Sequence, residues 1–390
     1  MPVIGVKNFI GDRLIQAKNA RGFSSATLSD LVQVSQSSIC LYEKGKQNPK
    51  QEVVESLARV LNVPVGFFFK EITIAKPKSL FYRSMAAATK SSRTMSEAKY
   101  EWTLEAVEGY LLRFFDFPSL NLPDIELPAD FKRLNSQTIE TIATQLREHW
   151  TLGTGPISNM VRTLEANGIV VWQTKFEAET QDSFSEYREP HPFVVLSSDK
   201  ENYFRSRFNA AHELGHIILH RNIDKTTLNK KADFKLIEDQ AHLFAGAFLT
   251  PATAYYNDLS SISIDTFRAL KPRWNVSIAM QIMRTKHLGL ISEPEEKRLW
   301  INLSRRNWRT SEPLDDSTLP EKPQLINKSV KMLVDEGVKS KEQLKDEMEF
   351  SAVDIENIIE ERGYINTMAD REKPIFKSAD RKIIPFPARR

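Results

Sequence analysis

The sequence predicts an α+β protein, mostly α, built in more than one unit. Helical apolar periodicity, broken by turn residues, fills residues 7–69 and returns in most segments beyond residue 100. Only residues 168–198 carry β-branched runs (GIVVW and HPFVVLSS, with FSEY between them), which read as a small antiparallel sheet. At 390 residues, 41% apolar and 27% charged, the chain can bury two or three separate cores.

In chain order, residues 1–70 hold five short helical patterns: FIGDRLIQAKNARGF, SSATLSDLVQVS, QSSICLYEKGKQNP, QEVVESLARVLNV and PVGFFF. Residues 71–99 shift to Lys, Ser, Ala and Thr and read as a basic linker. Residues 100–311 are predicted to form the main domain. Helices at SEAKYEWTLEAVEGYLLRFF and NSQTIETIATQLREHW lead to the sheet, and further helices follow it. Residues 312–390 are predicted to be an extension with two helical patches and a polar end, the patches packing on the main domain.

Charge is uneven along the chain. Residues 1–100 carry 15 Lys/Arg against 7 Asp/Glu, a surplus of 8, while the whole chain carries +3. The rest is therefore acidic, at −5, and the basic end is the part suited to a polyanion such as DNA. The single cysteine, Cys40, excludes intrachain disulfides and a thiolate metal cage and fits a reducing cytoplasm. No window approaches eighteen consecutive apolar residues and the start lacks a leader pattern, so neither membrane nor export is expected.

In QVSQSSICLYEKGKQNP, Ser35 can cap a helix whose first turn is Gln36, Ser37 and Ser38, with Ile39 and Tyr42 turned to a core. Short polar side chains at a helix start are the type that reads base edges in a major groove, and Leu41 lies one turn further along. Ser25, near the start of the preceding helix, and Lys44 and Lys46, after the second one, are expected at phosphates. The segment resembles the Xre/Cro-type helix-turn-helix repressors through Leu28, Val34, Ser35, Ile39, Tyr42, Glu43, Gly45, Asn48, Pro49, Leu57, Ala58, Leu61 and Val63. It departs from them at Ser29, where alanine is usual, and at Gln33, where the turn normally has glycine. The resemblance implies double-stranded operator DNA as a partner and a homodimer as the binding form.

NAAHELGHIILH, residues 209–220, carries the second motif. An i, i+4 pair lies about 40° apart around a helix, so His212 and His216 can converge on one ion, while Glu213 points beside it as a general base for water. A catalytic zinc keeps one coordination position open for that water. His220 lies about 12 Å along the axis from His212, too far for the same ion, and is expected to close the helix or to support a ligand. A third ligand must come from another segment. In IEDQAHLFAGAFLTP, Glu238 and His242 share a helical face, and Ala241, Ala245 and Ala247 permit close helix approach.

RFNAAHELGHIILH followed by ExxAxxFAxxFLTP resembles the ImmA/IrrE-type metallopeptidases, as does LREHWTLGTGPISNMVRTLEANGIVVW upstream. The resemblance implies a zincin-like helical domain, Zn²⁺ held by His212, His216 and Glu238, Glu213 as the catalytic base, and a helix-turn-helix repressor as the protein cut. His242, standing where that family has another polar residue, competes with Glu238 as ligand. Arg207, Tyr255 and Tyr256 are candidates to stabilise an oxyanion. The combined expectation is a DNA-binding regulator that cleaves a repressor or itself. The other class of function is an antitoxin-like regulator that binds a co-encoded toxin and uses the zinc domain as scaffold or sensor.

Overall fold

A computed structural model of the chain describes residues 5–77, 81–82, 90–176, 183–199, 202–366 and 384–385. The N-terminal module comprises α1 (Gly11–Ala20), α2 (Ser25–Val32), α3 (Gln36–Glu43) and α4 (Gln51–Leu61). Side-chain caps start the middle two: the Ser24 hydroxyl accepts from the Thr27 amide at 3.0 Å and that of Ser35 from the Ser38 amide at 3.1 Å. Where PVGFFF predicts a fifth helix, the chain makes a single 3-10 turn, Val65–Phe69. The segment is too short for an α-helix after Pro64, and it serves to bury Phe67 and Phe68.

Gln33 keeps the turn between α2 and α3 by adopting φ 59° and ψ 45°, the left-handed conformation that glycine takes at no steric cost. Ser29 is buried, but its hydroxyl donates to the Ala26 carbonyl at 2.7 Å. Both departures from the helix-turn-helix pattern are therefore accommodated locally.

After β1 (Phe81–Tyr82), α5 (Lys90–Val107) starts ten residues inside the predicted linker. Its first turns show little apolar period of their own and are carried by the next two, which bury Tyr100, Trp102, Leu104 and Val107. Two-residue β2 (Phe115–Asp116), α6 (Ser136–His149) and α7 (Met160–Ala166) lead into β3 (Val170–Thr174), β4 (Ser183–Glu186) and β5 (Phe193–Ser197). The sheet order is β1-β4-β5-β3.

The sheet is mixed and not wholly antiparallel as predicted: β4 runs antiparallel to β5 and β1, but β3 pairs with β5 in parallel, Val170 opposite Phe193. β5 enters between the two strands that precede it, and alternation along a strand carries no information about its neighbour's direction. Both faces are covered. Val170, Trp172, Phe184, Phe193 and Val195 face one core, whereas Val171, Val194 and Leu196 face another. Such double burial explains why these strands read as unbroken apolar runs.

On the second face lie α8 (Tyr203–Leu219), α9 (Lys225–Leu228) and α10 (Lys231–Leu249), followed by α11 (Ala252–Asp258), α12 (Ile264–Trp274), α13 (Ile278–His287) and α14 (Glu293–Arg305). The first face is shared by the N-terminal module, α5 and the C-terminal helices α15 (Leu325–Asp335), α16 (Lys341–Met348) and α17 (Ala352–Ile359). The C-terminal region forms three helices where two patches are predicted, and it touches the N-terminal module as well as the sheet. Arg21 makes a bidentate pair with Asp354 at 2.8 and 2.7 Å, and Lys70 donates to the carbonyls of Glu347 and Met348. A short β6 (Ile384–Pro385) pairs with β2; the rest of the predicted polar end lies outside the described residues.

Candidate metal centre and recognition face

α8 and α10 pack closely enough that a Cβ added to Gly215 would meet Phe244 at 3.1 Å and the Ala241 backbone at 3.3 Å. That approach brings three side chains together. His212 Nε2 and His216 Nε2 are 3.0 Å apart, and the Glu238 carboxylate lies 3.4 Å from the first and 3.3 Å from the second. All three are buried. His242 offers a further donor atom within 4.8 Å of those on His212 and Glu238; it is only half-buried, and its Nδ1 lies 2.7 Å from the Glu238 carbonyl.

The proton positions around His216 follow from its neighbours. The Gln240 amide nitrogen donates to the carbonyls of Phe131 and Leu134, which orients Gln240 Oε1 as an acceptor for His220 Nε2 at 3.0 Å. His220 Nδ1 must then accept, so His216 Nδ1 donates to it at 3.0 Å and His216 Nε2 carries its lone pair toward Glu238. His220 thus supports a candidate ligand from behind, as the spacing predicts.

Burial pushes the His212 imidazole well below its usual range and takes His220 down to about 3, so neither ring carries charge at neutral pH. Burial opposes ionisation of Glu238, but the His212 and His216 rings that face it hold its carboxyl well below the usual range. Lone pairs on two imidazoles and an ionised carboxylate therefore converge, and Glu238 Oε1 and His212 Nδ1 have no hydrogen-bond partner. Such a cluster costs free energy unless a cation lies within it.

Glu213 points to the sheet side of α8. Its two oxygens accept from Ser183 Oγ at 2.6 Å and Ser185 Oγ at 2.7 Å, the two inward hydroxyls of β4. Burial pushes its carboxyl up to about 7, against the lowering effect of His216 and both serines. Neither serine nor Gln240 was singled out from the sequence. The available signal was two serines flanking Phe184 at the alternate, core-facing positions of a strand.

The oxyanion candidates are not brought to this cluster. Arg207 is buried against Glu321 and the Ile157 carbonyl, and Tyr255 is in the core with its hydroxyl on Gln281. Both carry helix packing in place of the predicted role, since buried polar groups must be paired locally. Tyr256 is 59% exposed on the same short helix.

At the other end of the chain, Gln36, Ser37, Leu41, Lys44 and Lys46 form an exposed face on and just after α3. Neither the sheet nor the C-terminal helices cover it. Ser38 is half-buried and shares its hydroxyl with Ser35 at 2.8 Å. Ser25 receives the Lys18 ammonium at 2.9 Å and donates to Glu43 at 3.3 Å, so its hydroxyl is engaged within the module.

Two families match the chain in these regions: the peptidase M78 family, described as an IrrE N-terminal-like domain, over residues 164–286, and the family described as helix-turn-helix over residues 14–68. The chain is a fusion of an Xre-type helix-turn-helix and an IrrE-like domain. No curated protein matches it. The helix-turn-helix and the IrrE-like domain together make it a DNA-binding regulator with a protease-like domain. Among the described residues no helix is long and apolar enough to cross a membrane.

Proposed function

We propose that the IrrE-like domain is a zinc-dependent endopeptidase, that His212, His216 and Glu238 hold the ion, and that Glu213 is the catalytic base. The substrate is a repressor protein or the chain itself, and the helix-turn-helix module holds the regulator on operator DNA in the cytoplasm as a homodimer. One observation carries this reading: two imidazole nitrogens 3.0 Å apart each lie 3.3–3.4 Å from an oxygen of the same carboxylate. A tetrahedral ion with bonds of about 2.0–2.1 Å spaces its ligand atoms by roughly 3.3–3.4 Å, so the donor set fits zinc in size and in its two-imidazole, one-carboxylate chemistry.

Bound there, zinc supplies Lewis acidity that activates water and polarises a peptide carbonyl. The chain's residues do the rest. Glu213, with its carboxyl near 7, can take a proton at neutral pH and return it to the leaving nitrogen. Ser183 and Ser185 fix its orientation and exclude water from its far side. The line from Gln240 through His220 keeps the lone pair of His216 toward the ion, the usual arrangement behind a histidine ligand.

On the DNA, Gln36 and Ser37 supply groove-reading groups, Leu41 an apolar contact for a thymine methyl, and Lys44 and Lys46 charge for phosphates. The test is incubation of the zinc-loaded chain, alone and with a helix-turn-helix repressor protein, read by mass spectrometry. Cleavage that Glu213→Gln abolishes supports the reading, and no cleavage of that protein or of the chain refutes it.

A further inference from the structure

We infer that the peptidase's own linker is its substrate: residues 81–82 lie as a strand along β4, and hydrolysis of the Phe81–Tyr82 bond severs the covalent link between the DNA-binding module and the catalytic body. This rests on the peptidase reading above and narrows it to one substrate. β4 is paired with β5 on one side, and its other edge takes Phe81 and Tyr82 in antiparallel register, Phe81 opposite Ser185 and Tyr82 opposite Phe184. An exposed strand edge is a template for an extended peptide, because its amides and carbonyls capture any backbone laid beside it. Ser185, the partner of Phe81, is also the residue whose hydroxyl donates to Glu213 at 2.7 Å. Neighbouring strands run about 4.8 Å apart, so the linker backbone passes one strand-width from the serine that orients the proposed base.

A purely protective edge strand has no need to lie against the strand that orients the base. This one pairs with the strand that holds Glu213. The peptide is also tethered, and a short tether gives an effective concentration on the order of millimolar, which favours it over a separate protein at cellular levels. Hydrolysis is balanced without any co-reactant. The C–N bond breaks, the hydroxyl of water goes to the carbonyl carbon, and its proton reaches the leaving nitrogen. Residues 70–89 are the only covalent route from the module to α5. After the cut the module is held by non-covalent contacts alone: the core it shares with α5 and the C-terminal helices, and pairs such as Arg13–Glu105 and Arg21–Asp354.

The experiment uses the full chain loaded with zinc, followed by intact mass under denaturing conditions, alone and mixed with an isotopically labelled Glu213→Gln chain. An unfolded carrier protein is offered in parallel. Expected are two fragments that meet at the Phe81–Tyr82 bond, a first-order rate independent of protein concentration, and an uncut labelled chain in the mixture. A Phe81→Pro/Tyr82→Pro chain with unchanged circular dichroism should be cut at least tenfold more slowly. Cleavage of the carrier with the linker intact, or a self-cut mapped elsewhere, overturns this inference and leaves the peptidase reading standing. If zinc binds and neither the carrier nor the chain is cut, the peptidase reading falls and the inference with it.

Discussion

The recognition face and the histidine cluster are opposite solutions to placing polar groups. On α3 the polar groups face solvent, and each needs only a helix start and a cap that lie within a few residues of it. Around α8 the groups are buried and depend on other elements of the fold: Glu213 on β4, and His216, through His220, on Gln240 of α10. Substitutions on the first surface should be additive and mild. Within the second they should be severe and coupled.

The sharpest separation comes from Glu213→Gln in the zinc-loaded chain. We expect hydrolysis to fall by about 10²–10⁴-fold, the usual contribution of a general base, with the operator footprint and zinc content unchanged. A footprint lost together with activity would mean that the two regions are one energetic unit. Next in size is metal removal. With free zinc at a hundred times its Kd, binding stabilises the folded state by about 2.7 kcal/mol. Chelation should therefore lower the melting temperature of the catalytic body by roughly 5–10 °C, measured by calorimetry, and Glu238→Ala should remove most of that difference.

Gln240→Leu tests the relay without touching a ligand. Without its acceptor, His220 can switch tautomer, and His216 no longer has its lone pair fixed toward Glu238. Zinc affinity should drop about 10–100-fold in calorimetric titration, while Gln36→Ala, at the other end of the molecule, should leave it untouched. Gln36→Ala should instead weaken operator binding by about 1–3 kcal/mol and relax preference at one base pair.

This contrast also accounts for what was legible in the sequence. The helices of the N-terminal module, the three strands GIVVW, FSEY and HPFVVLSS, and the pairing of His212 with His216 all depend on short periods, and periods survive in a string of letters. The approach of Glu238 was legible because its own helix carries alanines that permit contact. Ser183, Ser185 and Gln240 were not, because a serine in a strand or a glutamine in a helix gains meaning only from the partner that tertiary packing delivers. The parallel pairing of β3 with β5 and the docking of α17 on Arg21 were hidden for the same reason. Arg207 illustrates the converse: its position on the histidine helix suggests chemistry, while its burial with Glu321 assigns it to packing.

The seam between the C-terminal helices and the sheet adds a pH signature. Burial pushes Glu165 up to about 7 and Glu360 up to about 8, where they accept from the amides at the start of α15 and from Gln173 of β3. A carboxyl raised in the folded state binds its proton more tightly there than in the unfolded chain. Its contribution is thus complete below about pH 4.5 and is lost as pH rises through 7 and 8. Urea midpoints should fall as pH rises from about 4.5 to 8 and level off above, and Glu360→Gln, which retains an acceptor oxygen, should flatten that slope.

The smallest expected effect returns to the exposed module. Gln33 sits at φ 59° in the turn before α3, a conformation that costs an L-residue roughly 1–2 kcal/mol and glycine almost nothing. Gln33→Gly relieves that cost but gives the unfolded chain more conformations to lose, an opposing term of about 0.4–1 kcal/mol. The balance favours the substitution by about 0.5–1 kcal/mol, measurable as a small rise in the urea midpoint with the operator footprint unaltered. A destabilised Gln33→Gly chain would show that the glutamine side chain contributes a contact which outweighs the backbone strain.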